Sequence, residues 1–143
     1  MTPHLLLVED DPDDILLFQD ALDDIKWEVE LSVCTDGDSA VDFLIKRNEY
    51  ENVKTPNLIL LDLNLPKRSG TELLQMILTV ESARMVPCIV LSTSTDQRAI
   101  NECYSFGANS YVVKPGDFKV LCDYLGKMKN YWMDMVQLPQ PNA

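Results

Sequence analysis

Four polar positions stand immediately behind short apolar runs. Glu9-Asp10-Asp11 follows Leu5–Val8, Asp62 follows Leu58–Leu61, Ser92 follows Cys88–Leu91, and Lys114 follows Tyr111–Val113. If each run is a buried strand of one parallel sheet, all four groups emerge at the same edge. Carboxylates gathered there repel and raise one another's pKa unless a cation offsets them. Mg²⁺ suits such a cluster, because it takes hard oxygen ligands and is commonly held by one or two carboxylates, waters and phosphate oxygens. The acids Glu9, Asp10, Asp11 and Asp62 would share a small volume there with Lys114 and are all candidate ligands. A cation at that edge could neutralise charge on a phosphoryl group in transit, and phosphoryl transfer depends on such positioning and neutralisation. Asp62 would then be the nucleophile that forms an acyl phosphate. Lys114 would bind a phosphoryl oxygen as a point charge, and the Ser92 hydroxyl would donate a hydrogen bond to another.

The elements that must position these groups can be read from the pattern around them. Five apolar runs recur, at Leu5–Val8, Val29–Val33, Leu58–Leu61, Cys88–Leu91 and Tyr111–Val113, mostly continuous rather than alternating. Runs of that kind suit strands covered on both faces. Helical patterns lie between them. Ile15, Phe18, Leu22 and Ile25 repeat behind Pro12, and Ala40, Phe43 and Leu44 follow Asp36 or Asp38 as a cap. Leu73, Leu74, Ile77 and Leu78 follow Ser69-Gly70-Thr71. Thr95 or Asp96 caps a helix reaching about Phe106, with Gly107 as its stop. Val120, Leu121, Tyr124, Leu125 and Met128 give a fifth. A strand–helix unit repeated five times predicts a doubly wound α/β fold, a five-stranded parallel sheet with helices on both faces. Its ligand site is expected at the carboxyl ends of the central strands. The polar stretch 47–56 reads as a long loop, and the last six residues, with two prolines, as a frayed tail.

Composition bounds the rest. The 143 residues suit one domain, and the net charge of −11 disfavours nucleic acid and anionic membranes as partners. The N-terminus has no basic stretch before its apolar run, so no signal peptide is expected. No apolar run approaches the ~20 residues of a membrane span. Cys34, Cys88, Cys103 and Cys122 form no CxxC pair and His4 is the sole histidine, which argues against zinc. These thiols read as reduced, largely buried residues of a cytoplasmic protein.

Four stretches, in order and on the predicted strands, resemble bacterial two-component response-regulator receiver domains. They are Leu5–Asp11, Leu60–Pro66 with Gly70, Ile89–Ser92 and Ala108–Pro115. The resemblance covers roughly residues 4–128, and the loop before Pro56, the phrase Asp62–Lys67 and the extended C-terminus look like the stand-alone receivers that serve cyanobacterial phytochromes. It implies the flavodoxin-like (βα)5 receiver fold, with Asp62 as phosphoacceptor and a histidine kinase, phytochrome-like, as donor. Asp10 would contact Mg²⁺ directly and Glu9 mainly through water, and the Asn64 backbone carbonyl would supply another ligand. Ser92 and Lys114 would grip the phosphoryl group, and Tyr111 would be the switch aromatic that turns inward when Ser92 moves. The side chains of Asn64 and Ser94 would tune access of water. Lys114-Pro115 is a candidate cis peptide, and Gly70 would permit a sharp turn into the third helix. Glu9 stands where Asp is commoner, Ser92 where Thr is, and Gly116 where a bulky residue often follows.

A receiver domain is expected over residues 1–130, with a helical extension and tail over 131–143. A helix from Asp117 to Val136 would be about 30 Å long and overhang a sheet of ~17–20 Å strands. Tyr131, Trp132, Met133, Met135 and Val136 would then form an apolar patch, which suits a homodimer through the fourth helix, fifth strand and fifth helix; folding back on their own domain is the alternative. No room remains for a DNA-binding output domain, so the expected output is protein contact. Two rivals fare worse. A phosphatase using an aspartyl phosphate would need an acid two residues after the nucleophile, where Asn64 stands. A flavin or nucleotide carrier would need an anion cradle after the first strand, where three acids stand.

Overall fold

The structure, a computed structural model, describes residues 2–142. Five strands, β1 (His4–Val8), β2 (Glu30–Cys34), β3 (Leu58–Asp62), β4 (Cys88–Ser92) and β5 (Ser110–Val113), pair in parallel in the order β2-β1-β3-β4-β5. Every residue of β1, β3 and β4 is buried, as their continuous apolar sequences require, whereas β2 and β5 are the partly exposed edges. Alternate side chains feed two cores. Leu6, Val8, Ile59, Leu61 and Val90 face one side; Leu5, Leu7, Leu58, Leu60 and Leu91 face the other.

The intervening helices are α1 (Pro12–Asp24), α2 (Gly37–Ile45), α3 (Gly70–Ile77), α4 (Gln97–Ser105) and α5 (Phe118–Lys129). Phe18 and Leu22 of α1 share a core with Leu125 and Met128 of α5, while Phe43 of α2, Leu73 of α3 and Cys103 of α4 fill the opposite one. Each helix begins at a side-chain cap: Asp11, Asp36, Ser69, Asp96 and Asp117 all accept backbone N–H bonds from the first turn. Chain order reverses between β1 and β3, so the crevice at their carboxyl ends is the topological switch point.

The structure revises several details. β2 and β5 start one residue after and one before their apolar runs. The loop before β3 contains a 3₁₀ turn at Asn48–Tyr50, whose Tyr50 ring packs 5.2 Å from that of Phe43. The last helix is α-helical only to Lys129 and finishes as a π-helix over Asn130–Met135. Trp132 and Met133 pack against the core shared by α1 and α5, whereas Tyr131 and Met135 stay exposed, so the expected apolar patch is divided. The described part of the tail is fastened rather than frayed, and Ala143 lies outside the described residues. Asn142 accepts a hydrogen bond from Thr55 N–H at 2.9 Å and donates one to Thr55 O at 3.0 Å, so its amide satisfies both backbone groups of that residue. Lys114-Pro115 is trans, since no cis peptide occurs among the described residues; trans is the intrinsically preferred isomer of an X-Pro bond. All four cysteines are free, three of them buried and Cys122 half-buried.

Candidate functional site: an acidic crevice closed by one lysine

The carboxyl ends of β1, β3, β4 and β5 deliver Glu9, Asp10, Asp62, Ser92 and Lys114 to one crevice. Glu9 and Asp62 are buried and Asp10 is exposed; one carboxylate oxygen from each lies within 4.8 Å of the others. Asp62 is held at both oxygens, Oδ1 accepting from Asn64 N–H at 3.1 Å and Oδ2 from Lys114 Nζ at 3.2 Å. Lys114 also donates to Glu9 Oε1 and to Asp14 Oδ2, the latter at 2.9 Å. Its own backbone N–H bonds Ser92 O at 2.8 Å, which ties β5 to β4 at the site.

Charge is unevenly settled here. Burial, opposed by the hydrogen bond from Lys114 and reinforced by Asp62, pushes the Glu9 carboxyl up to about 7. Burial works against the Lys114 ammonium, but its bonds to Glu9 and Asp14 and the charge of Asp62 outweigh this and raise its pKa. One lysine therefore faces four acids, Glu9, Asp10, Asp14 and Asp62. A divalent cation fits this donor set, which consists of hard carboxylate oxygens with a net negative charge.

The expected residues are brought together with two differences of detail. Asp11 caps α1 through Asp13 N–H at 2.9 Å, and its carboxylate is not one of the three clustered acids. Its backbone N–H instead bonds Glu9 Oε2 at 3.3 Å. Gly70 is required by close approach rather than by an unusual turn: a Cβ there would lie 2.6 Å from Leu63 Cα and 2.8 Å from Asp62 O. Gly70→Ala is thus expected to push the end of β3 outward. Overpacking of this kind costs about 1–3 kcal/mol. Thermal unfolding checks this; a wild-type melting temperature would mean the loop yields freely.

Ser92 is buried, its Oγ accepting from Ser94 N–H at 3.2 Å. The Tyr111 hydroxyl donates to Ser94 O at 2.8 Å, so Tyr111 and Ser92 meet through one residue of the loop after β4. Tyr111 N–H also donates to the hydroxyl of exposed Tyr104 on α4 at 3.1 Å. The residue that sequence reasoning missed is Asp14. It stands in the first turn of α1, where an acid is expected merely to complement the helix N-terminus. Its one sequence signal is that this turn directly follows the acidic strand end.

The family model for the response regulator receiver domain matches residues 5–126. The chain belongs to the response regulator receiver domain family. Response regulator Rcp1 of Synechocystis sp. is 38 % identical over 135 residues, covering 94 % of this chain and 92 % of that one. The crystal structure of the phosphorylated cyanobacterial phytochrome response regulator RcpA superposes with a TM-score of 0.92 at 34 % identity, covering 98 % of this chain and all of that one. The Mn²⁺-bound form of Rcp1 gives 0.87 at 37 % identity, covering 96 % and 99 %. Among the described residues no helix is long and apolar enough to cross a membrane.

Proposed function

We propose that this receiver accepts a phosphoryl group on Asp62 from a phytochrome-like histidine kinase in the cytoplasm and signals by protein contact. The observation that carries this is the crevice itself: a buried carboxylate at the end of β3, held by Asn64 N–H and Lys114, beside two further acids. Glu9, Asp10 and Asp62 would hold Mg²⁺ together with the Asn64 carbonyl, with Asp11 as an outlying acid. When bound, the ion offsets negative charge on the phosphoryl oxygens. Asp62 attacks phosphorus, an O–P bond forms, and the donor's bond to phosphorus breaks with its electron pair leaving on the donor. Lys114 and Ser92 take up phosphoryl oxygens through N–H and O–H donation. A shift of Ser92 is passed to Tyr111 through Ser94, whose carbonyl already holds the Tyr111 hydroxyl, and this biases the face formed by α4, β5 and α5.

That face is also the candidate homodimer surface. Its elements expose Tyr104, Val113 and Val120, and the adjoining extension exposes Tyr131 and Met135, apolar area of the kind that marks interfaces. In this reading residues 1–130 are the receiver and 131–143 an extension that borders the dimer surface. The chain performs chemistry on its own side chain only, without turnover of an external substrate, and the acidic surface keeps it off nucleic acid and membranes. Incubation with acetyl phosphate and Mg²⁺, read by intact mass and light scattering, tests both parts. One added phosphoryl group, lost with chelator, and a dimer are expected. Absence of uptake from acetyl phosphate and from a kinase alike would end the phosphoacceptor reading, and a monomer in all states would end the dimer.

A further inference from the structure

The Lys114 ammonium commits all three of its N–H donors to carboxylates, those of Glu9, Asp14 and Asp62. A phosphoryl oxygen arriving at Asp62 can be bound by Lys114 only if one of these contacts is released. The three are not equally expensive to abandon. The Glu9 and Asp62 side chains are 4 % and 9 % exposed, whereas that of Asp14 is 38 % exposed. As the donor arrives Asp62 is still an anion, and a buried carboxylate stripped of its cation keeps its desolvation penalty, while water readily replaces the partner of an exposed one. The Asp14 carboxylate hydrogen-bonds to nothing else among the described residues.

We propose that Asp14 is the positioning residue that Lys114 exchanges for a phosphoryl oxygen, so that it restrains phosphoryl uptake in the resting protein. It acts in two ways with the same sign. It occupies the one donor of Lys114 that can be freed cheaply, and it adds negative charge at a crevice that must admit an anionic donor. The inference rests on Asp62 being the phosphoacceptor and adds how access to that site is regulated. In the uptake step the new bond joins an Asp62 oxygen to phosphorus, and the bond from phosphorus to the acetyl oxygen breaks, leaving acetate with the electron pair.

The test compares wild type, Asp14→Asn and Asp14→Glu at saturating Mg²⁺ over a range of acetyl phosphate concentrations, with initial uptake followed by intact mass. An exposed ion pair of this kind predicts uptake about two- to fivefold faster in Asp14→Asn at low donor concentration. The gain should lie in the donor concentration needed for half-maximal rate and leave the limiting rate little changed. Asp14→Glu keeps the charge and should behave as wild type. Uptake in Asp14→Asn at or below the wild-type rate would overturn the proposal while leaving the Asp62 assignment intact, as would acceleration by Asp14→Glu. A lower melting temperature joined to slower uptake would make Asp14 structural only. No uptake by wild type would remove the Asp62 assignment, and the proposal with it.

Discussion

Asp62→Asn is expected to abolish phosphoryl uptake and, in metal-free buffer, to raise the melting temperature. The amide keeps an oxygen that can accept from Asn64 N–H, so the end of β3 stays in place. What disappears is the anionic oxygen that would attack phosphorus. What also disappears is a buried negative charge beside Glu9; Lys114 loses that partner but keeps Glu9 and Asp14, and the net relief of repulsion is worth on the order of 1 kcal/mol. The sign with pH follows from Glu9. Its carboxyl is raised from the ordinary 4.5 to about 7 in the folded protein. The folded state therefore holds a proton that the unfolded chain has already lost, and this contribution is full below about 4.5 and lost as pH rises through about 7. Removing Asp62 brings the Glu9 carboxyl down and flattens that dependence. Melting curves across this range, with chelator, check the prediction. With Mg²⁺ added the ranking should reverse, because only the wild type keeps all its carboxylate ligands and gains the binding free energy.

Lys114→Met is expected to harm both stability and chemistry. Stripping the partner from a buried ion pair costs roughly 3–5 kcal/mol. Here protonation of Glu9 relieves part of the loss, so about 1–3 kcal/mol is expected near neutral pH. Without the lysine, which lowers it, the Glu9 carboxyl climbs higher still. The deficit relative to wild type should therefore grow as pH rises through about 7. Loss of one donor aimed at developing charge typically costs about 10²–10³ in rate, and phosphoryl uptake should fall on that scale. Denaturant unfolding on either side of neutrality, with an uptake assay on the same samples, separates the two effects. A deficit independent of pH would mean that Lys114 does not govern the ionisation of Glu9.

The parts of the fold that are local in sequence were readable in advance. Continuous apolar runs identified β1, β3 and β4 because both faces of those strands are covered; Ser69-Gly70-Thr71 announced its helix, and of the alternatives Asp36 or Asp38 and Thr95 or Asp96 the structure selects Asp36 and Asp96. The crevice was legible for the same reason, since Glu9, Asp10, Asp62, Ser92 and Lys114 each follow a run directly. Features set by tertiary contact were hidden. Asn142 meets Thr55 across 87 residues, and nothing in the tail's composition announces a fastener. Gly70 looked like a turn residue, although the approach of Leu63 is what excludes a side chain there. Asp14 is one of several acids at the start of α1, and only the path of the Lys114 side chain reveals its partner. The division of Trp132 and Met133 from Tyr131 and Met135 depends on how the helix end unwinds into a π turn, which the apolar stripe alone does not encode.

The most direct test of the central claim is to locate the phosphoryl group chemically. Protein treated with acetyl phosphate and Mg²⁺ would be reduced with borohydride, which converts an aspartyl phosphate to homoserine, then digested and read by peptide mass spectrometry. Homoserine at position 62, absent from the chelator control, is the predicted result. Modification at Glu9, Asp10 or any other acid, with Asp62 intact, would contradict the account.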